Sequence, residues 1–298
     1  MGHLYILLGL GATTALAFCY NATERRNGHR QYMAVAMGVG ALLLSALTAV
    51  AQRVDLRAGG PSQYLIGALM GLSFAASLPM FLAAVRRGDL SISWSILTMG
   101  FAVVSLLCLA YPGERITPLG WCGLACSAVA IGLLGIDARR SQQAHGQARH
   151  AGRGWGLFMT LAFVANLGIL YSYRLAAHFR PDDSPAHNAA FLVTGFAVLG
   201  AGSLLVARLW PREGRLRPAI GAGLAGGACL WLGGSASLLA MGKAGVPGAI
   251  WFPITVGGSS VLVAVLSVAF LKERPGRLGW LGIAVGTVGL ALLGVSQG

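Results

Sequence analysis

The sequence predicts an all-α integral membrane protein with ten transmembrane helices in two inverted five-helix repeats. Three observations lead to this fold class. The chain is 56% hydrophobic and only 10% charged, whereas about 25% of residues are charged in a typical soluble domain. The charges are concentrated between ten uncharged segments, each about as long as a helix must be to cross the roughly 30 Å hydrocarbon core of a bilayer. Two of the charged connections also repeat one pattern.

The ten uncharged segments are apolar around their whole circumference, as helices surrounded by lipid are. A soluble protein would have to enclose ten such helices completely within 298 residues. A β-barrel would need strands of about 10 residues with alternating polarity, which these runs lack. We number the segments as spans one to ten, and in order they cover residues 1–23, 31–52, 58–85, 90–113, 116–136, 154–173, 184–207, 218–242, 244–271 and 278–298.

The net charge of +13 indicates membrane orientation rather than a nucleic-acid partner. Sixteen of the 22 Lys and Arg residues lie in the odd-numbered connections or at the adjoining helix ends. Span one is followed by Glu24, Arg25 and Arg26, and no Lys or Arg precedes it, which is the reverse of the order in a signal peptide. The bias predicts a multi-pass protein of the inner or plasma membrane with both termini outside.

The longest polar connection, RRSQQAHGQARHAGR, covers residues 139–153 and divides the spans into five and five. Almost none of its side chains could be buried in a core, so it is predicted to be a flexible tether. The expected organisation is a first repeat over 1–138, this linker, and a second repeat over 154–298.

The repeated pattern reads YPGERITPLGW at residues 111–121 and FLKERPGRLGW at residues 270–280, with the matching positions 159 apart. Because each half contains an odd number of spans, the two halves must cross the membrane in opposite orientations, which is the inverted-repeat plan of many secondary transporters. The first connection is then expected outside. The second, which carries the additional Lys272 and Arg277, is expected inside.

Spans four and nine, each ending in this Glu-Arg pattern before Gly-Trp and a Gly-rich last helix, resemble EamA-type members of the drug/metabolite transporter superfamily. The resemblance is best over 237–294, good over 80–135 and weak for spans one, two, six and seven. It implies ten helices in two inverted halves and transport of small metabolites or drugs through a cavity lined by helices 1, 3, 4, 6, 8 and 9. The chain departs from the family in lacking an aromatic-rich first helix, and its charge bias is opposite to the family's usual cytoplasmic termini.

Polar and aromatic residues at mid-span are the candidate substrate-binding residues, because an unpartnered polar group costs free energy in hydrocarbon. Asn166 in span six is the clearest of them, and its amide could bind a substrate or a neighbouring helix. Trp94 and Trp251 lie near the beginnings of the corresponding spans four and nine, where Trp-Phe-Pro at 251–253 could interrupt the helix. The remaining candidates are Ser77, Ser93, Tyr171, Trp231 and Thr255.

Some of these aromatic residues have a second interpretation. Tyr171 and Tyr173 could belong to an interfacial belt, which we favour for Tyr173, and Trp231 could face lipid. Glycines spaced four apart predict close helix packing: Gly67 and Gly71, Gly223 and Gly227, and Gly282 and Gly286. The last pair could pack within the chain or in a homodimer, and the glycines of span eight could also let the helix bend.

The sequence contains no catalytic constellation, and it predicts neither a cofactor nor a metal site. No Asp, Glu, Lys or Arg lies at mid-span, so the expected substrate is a small neutral, zwitterionic or weakly anionic metabolite. The predicted function is secondary transport by alternating access, as an exporter or exchanger, from a monomer or homodimer in the lipid bilayer. The alternatives are a flippase for a lipid or lipid-linked substrate, a membrane-embedded enzyme and a non-transporting scaffold.

Overall fold

A computed structural model describes residues 2–85, 96–110, 115–144, 154–180, 184–209, 214–271 and 276–296. The described part of the chain is all-helical, with 89% of residues in helix and no strand. Eight of its helices are long and apolar enough to cross a membrane, consistent with a multi-pass membrane protein. The predicted class, an all-α protein with membrane-spanning helices, is therefore confirmed.

The first eight helices correspond to spans one to eight, although α4 is short. Their bounds are α1 Gly2–Arg25, α2 Arg30–Ala51, α3 Pro61–Val85, α4 Gly100–Cys108, α5 Pro118–Ala144, α6 Trp155–His178, α7 Pro185–Leu209 and α8 Leu216–Leu238. Span nine contains α9 (Gly248–Phe252) and α10 (Gly258–Leu271), and span ten is α11 (Arg277–Val295). A 3-10 turn at Leu56–Gly59 precedes α3, and π-helical turns occupy Leu239–Lys243 and Pro253–Gly257.

Hydroxyl groups within these helices are satisfied mainly by the helix that carries them. The side chains donate to carbonyl oxygens one turn earlier, as Thr14 does to Leu10 at 2.7 Å and Ser127 does to Gly123 at 2.9 Å. Such a bond hides the hydroxyl group from hydrocarbon without requiring a second helix. Ser and Thr residues can therefore occur in apolar spans without defining a binding site.

The chain forms two compact units. The first unit contains Met1–Pro79 and Gly168–Val246, and the second contains Met80–Leu167 and Pro247–Gly298. Each unit therefore combines segments from both halves of the sequence. Boundaries between the units fall within α3 and α6. Helix α5 also continues to Ala144, six residues into the segment predicted as a linker, of which 145–153 lie outside the described residues.

Glycine contacts between backbones hold α8 against α2 in the first unit. A Cβ atom placed on Gly227 would lie 2.6 Å from the Met37 carbonyl oxygen and 2.8 Å from the Ala41 nitrogen, and one on Gly223 would lie 2.6 Å from the Met33 carbonyl oxygen. Real Cβ atoms do not approach backbone atoms so closely. Glycine is therefore required for α8 to approach α2 at this distance.

The same kind of contact joins α3 to α7 in this unit. Cβ atoms on Gly67 and Gly71 would collide with the carbonyl oxygens of Phe191 and Gly195 respectively. The packing role predicted for both glycine pairs of the first unit is thus observed, and their partners are α7 for the first pair and α2 for the second.

In the second unit, α5 packs against α11. A Cβ atom on Gly123 would lie 2.9 Å from the Gly289 carbonyl oxygen, and one on Gly282 would lie 3.1 Å from the Ala130 carbonyl oxygen. Gly286 also approaches the Ala130 side chain. The Gly282 and Gly286 pair therefore packs within the chain.

The repeated Glu-Arg connections are described only in part, since 111–114 and 272–275 lie outside the described residues. Two bonds fix the helix starts that follow: Gly120 N–H donates to Thr117 Oγ1 at 3.1 Å, and Gly276 N–H donates to Asp137 Oδ2 at 2.8 Å. The Gly-Trp pairs after them also match, because both glycines are buried and both tryptophans, Trp121 and Trp280, are exposed.

The glycine contacts predict a clear difference between two positions of α8. Gly227→Ala forces a methyl group onto the α2 backbone and should lower the free energy of unfolding by about 1–3 kcal/mol. Gly221→Ala is the matched control, because an added Cβ atom meets nothing within 4 Å there. Thermal unfolding of the purified variants in detergent measures both effects. Equal stability of the two variants would contradict the packing described for α8.

Candidate functional site

Span four changes helix geometry where it enters the second unit's core. Ile96–Thr98 are helical, Met99 forms a turn, and α4 begins at Gly100. Ala102 N–H donates to the Met99 carbonyl oxygen at 3.0 Å, a bond one residue shorter than in an α-helix. The helix is thus tightened at this point rather than continued regularly.

Span nine also changes geometry, where the sequence Trp-Phe-Pro predicts an interruption. Helix α9 ends at Phe252, and the next turn is π-helical, with the Gly258 N–H directed at the Pro253 carbonyl oxygen five residues earlier. Pro253 has no N–H to donate into the preceding turn, which explains why the regular ladder stops here. The predicted interruption is therefore observed as a wider turn within a continuous helical path.

These two segments, Leu97–Gly100 and Pro253–Gly257, are called the irregular turns below. They end in related sequences 157 positions apart, Leu-Thr-Met-Gly at 97–100 and Ile-Thr-Val-Gly at 254–257. They also lie close together in the second unit, because a Cβ atom on Gly257 would come within 3.2–3.5 Å of the Phe101 ring. The shared Thr-x-Gly sequence is the pattern that could have identified both turns before the structure was known.

Asn166 connects α6 to the first irregular turn. Its Nδ2 group donates to the Leu97 carbonyl oxygen at 3.1 Å, and a Cβ atom on Gly100 would lie 3.2 Å from the same nitrogen. Of the two interpretations offered by the sequence, the structure shows the bond to a neighbouring helix. An amide also carries an acceptor oxygen, so this bond leaves Asn166 able to accept a hydrogen bond from a bound solute.

Two of the predicted binding residues, Thr255 in the second irregular turn and Trp251 in the preceding helix α9, are buried. Trp251 is 1% exposed and Thr255 is 2% exposed, with the Thr255 hydroxyl donating to the Trp251 carbonyl oxygen at 2.8 Å. The Trp251 N–H in turn donates to the Pro247 carbonyl oxygen at 2.9 Å. Trp251 is thus a core residue of the second unit, and its backbone belongs to the hydrogen-bonded frame of the turn.

Further hydroxyl groups lie beside the irregular turns. Ser105 is fully buried and donates to the Phe101 carbonyl oxygen at 2.8 Å, and Ser259 donates to the Val256 carbonyl oxygen at 2.8 Å. Thr98 is also buried. Ser105 could not be singled out from sequence, because nothing distinguishes a hydroxyl group beside a functional turn from one that only bonds its own helix.

The first unit contains the remaining described candidates. Ser77 on α3 is buried, whereas Tyr171 on α6 and Trp231 on α8 are half-buried. Trp94 and Ser93 lie outside the described residues. The structure therefore divides the predicted set, with Asn166, Trp251 and Thr255 in the second unit and these three in the first.

The sequence favoured an interfacial belt for Tyr173, but the structure places this side chain inside the first unit. It is 7% exposed, its ring centroid is 5.3 Å from that of Phe191, and its hydroxyl oxygen would lie 2.9 Å from a Cβ atom on Gly234. The absence of a side chain on Gly234 makes room for the phenol inside the first unit.

Within the described residues, no group of three or more His, Cys, Asp or Glu side chains could hold a metal ion.

Comparison with known proteins identifies the fold but no family. No family model matches the chain, and no curated protein matches it. Chains of known structure do match, among them one described only as "Crystal structure of protein". It aligns with a TM-score of 0.75 over 99% of this chain and 96% of its own length, at 14% identity. The class defined by fold and site is thus an all-helical protein with helices long and apolar enough to span a membrane, and the likeness shows the fold alone.

The bond from Asn166 predicts a measurable loss of stability. Asn166→Ala removes a hydrogen bond between two helices and should lower the free energy of unfolding by about 0.6–1.7 kcal/mol, the range found for such bonds in membranes. Ser172→Ala on the same helix is the control, since the Ser172 hydroxyl donates to the Gly168 carbonyl oxygen of its own helix. Detergent thermal unfolding should rank Asn166→Ala below Ser172→Ala, and the opposite ranking would argue against the contact.

Proposed function

We propose that the chain is a secondary transporter that moves a small neutral, zwitterionic or weakly anionic metabolite by alternating access. The pair of irregular turns carries this proposal. At such turns the regular backbone hydrogen bonding of an apolar span is interrupted, and transporters build their binding sites from interrupted helices. Turns of π-helical type are also frequent at functional sites. The EamA-type resemblance of spans four and nine points to the same function.

Transport by alternating access is favoured by two inverted halves, and the contacts of the second unit support that arrangement. Gly123 approaches the Gly289 carbonyl oxygen, and Gly282 approaches the Ala130 carbonyl oxygen. Adding 159 to Gly123 gives Gly282, and subtracting 159 from Gly289 gives Ala130. One contact is therefore obtained from the other by interchanging the matching positions of the two halves. A two-fold axis between related halves would produce this relation.

The first unit shows a corresponding exchange. Gly227 approaches the Met37 carbonyl oxygen, and Gly71 approaches the Gly195 carbonyl oxygen. Gly71 and Gly227 are 156 positions apart, and Met37 and Gly195 are 158 apart. The two offsets differ by two residues, so the first unit supports the inverted-repeat proposal through the pairing of its helices rather than through one common register.

The chemistry around the irregular turns suggests the substrate class. The groups there are an amide (Asn166), hydroxyl groups and backbone carbonyls, all of them neutral, and no Asp, Glu, Lys or Arg occurs at mid-span in the sequence. Such groups bind a solute through hydrogen bonds rather than by neutralising a full charge. A hydrophobic cation would lack the buried carboxylate that it normally pairs with.

A ligand screen followed by a flux measurement tests the transport proposal. Purified protein is heated in detergent with amino acids, nucleosides, sugars and vitamins, and a ligand at 100 times its Kd should stabilise the native state by about 2.7 kcal/mol. The same compound, radiolabelled, should then exchange into proteoliposomes preloaded with unlabelled compound. If no stabilising compound entered the proteoliposomes faster than it entered liposomes without protein, transport of the proposed substrate class would be ruled out.

The role of Asn166 in this function has a separate test. If its amide binds the solute, Asn166→Ala should remove the ligand-induced rise in unfolding temperature. It should also lower the unfolding temperature of the ligand-free protein. Ser127→Ala on α5, whose hydroxyl bonds only its own helix, should retain the ligand response. A full response in Asn166→Ala would restrict that residue to helix packing and leave the transport proposal intact.

The inverted arrangement predicts opposite locations for the two Glu-Arg connections. Arg115 and Arg277 are both exposed, so a cysteine at either position should be reactive. In a variant whose five native cysteines are replaced, Arg115→Cys should react with a membrane-impermeant maleimide added to intact cells. Arg277→Cys should react only after the cells are permeabilised. Labelling of both from the same side would exclude inverted halves.

A further inference from the structure

An open cavity of about 640 Å³ lies in the first unit, where the α1–α2 turn meets the start of α8. Among the described residues, three arginines and two apolar residues line it: Arg26, Arg215, Arg217, Leu216 and Pro218. All three arginines are exposed. The cavity belongs to neither irregular turn and plays no part in the proposed transport site.

Backbone bonds fix the two sides of the cavity to each other. Arg215 N–H donates to the Asn27 carbonyl oxygen at 2.8 Å, and His29 N–H donates to the Arg215 carbonyl oxygen at 3.1 Å. Gly214 has a φ of +99°, and a Cβ atom there would lie 2.9 Å from three backbone atoms of residues 27–29. The contact therefore requires glycine, and it places Arg26 and Arg215 on one surface through the backbone.

The electrostatic balance of the surrounding segments is strongly positive. Of the described residues 25–30 and 214–217, five are Arg and none is Asp or Glu. The N-terminal turn of α8 adds the partial positive charge of its free amide groups. Arginine is also the side chain best suited to binding phosphate, through its planar fork of N–H donors.

An apolar stripe leads away from the cavity along α8. Leu216, Ile220 and Leu224 are spaced four residues apart, so they lie on one face of the helix, and they are 50%, 45% and 44% exposed. A ligand that places an anionic group on the arginines could lay a hydrocarbon chain along this stripe. Free phosphate would use the arginines but leave the stripe unoccupied.

We propose that this cavity binds an anionic glycerophospholipid, with the phosphate headgroup on Arg26, Arg215 and Arg217 and an acyl chain along Leu216, Ile220 and Leu224. Basic pockets between membrane helices bind anionic lipid headgroups in this manner. The cavity lies where α1 ends and α8 begins, and lipid headgroups lie near the ends of membrane-spanning helices, which favours a lipid over a soluble phosphate ester.

Native mass spectrometry of the delipidated full chain in neutral detergent tests the site, with dioctanoyl phosphatidylglycerol and dioctanoyl phosphatidylcholine as probes. The variant Arg26→Gln, Arg215→Gln, Arg217→Gln should bind phosphatidylglycerol at least about tenfold more weakly, since each arginine contributes a several-fold effect. The control variant Arg53→Gln, Arg57→Gln, Lys243→Gln loses the same charge at exposed positions beyond the opposite ends of α2 and α8 and should bind as the wild type does. Equal affinity of the two triple variants overturns the proposal.

Further experiments distinguish a specific lipid site from non-specific electrostatic attraction of the lipid to the protein. Gly214→Ala keeps every arginine but disturbs the backbone contact, so it should also weaken phosphatidylglycerol binding, and an unchanged affinity would overturn the geometry. Ile220→Gln, at an exposed position that tolerates change, should weaken binding of the lipid and serves if Gly214→Ala fails to fold. Inorganic phosphate that displaces the lipid at equal molar concentration would overturn the assignment to a lipid.

Discussion

Contact between helix backbones at glycine is the interaction on which the rest of the structure depends. Helices in a bilayer gain no hydrophobic free energy by leaving lipid for one another, so they associate where their backbones can come close. The approach of Gly227 to α2 and of Gly123 to α11 leaves no room for even a methyl group. These contacts set which helices are neighbours and fix their relative heights, because a glycine one turn away would meet a different carbonyl.

A second constraint follows from the first, because backbone groups in hydrocarbon must be satisfied by the protein itself. Regular helices meet this requirement automatically, but the irregular turns do not. At the first of them the Asn166 amide donates to the Leu97 carbonyl oxygen, and at the second the Thr255 hydroxyl donates to the Trp251 carbonyl oxygen. The polar side chains that look like substrate ligands are therefore also what makes the irregular backbone tolerable in an apolar unit.

The sequence predicted the helical membrane class and the glycine contacts because both depend on local composition and spacing. It could not predict the two units, because spans that are apolar on every side carry no stripe that identifies a partner. Tyr173 was misassigned because a phenol suits both an interface and a pocket beside a glycine, and only the contact with Gly234 decides between them. The role of Asn166 was equally undetermined, since one amide can bind a helix or a solute.

The contacts and the irregular turns together indicate where the protein can move. A helix held at backbone distance by glycine cannot rotate about its axis without driving a Cβ atom of a neighbouring residue into a carbonyl group. A 3-10 or π-helical turn can shift by exchanging one or two hydrogen bonds, and helices bend at such places and at proline. Rearrangement within the second unit is therefore easiest at Leu97–Gly100 and Pro253–Gly257, while the α5 and α11 pair remains rigid. A solute bound by the carbonyls, hydroxyls and amide of these turns would act on the hydrogen bonds whose exchange allows movement. Binding and conformational change would then be coupled through the same few atoms.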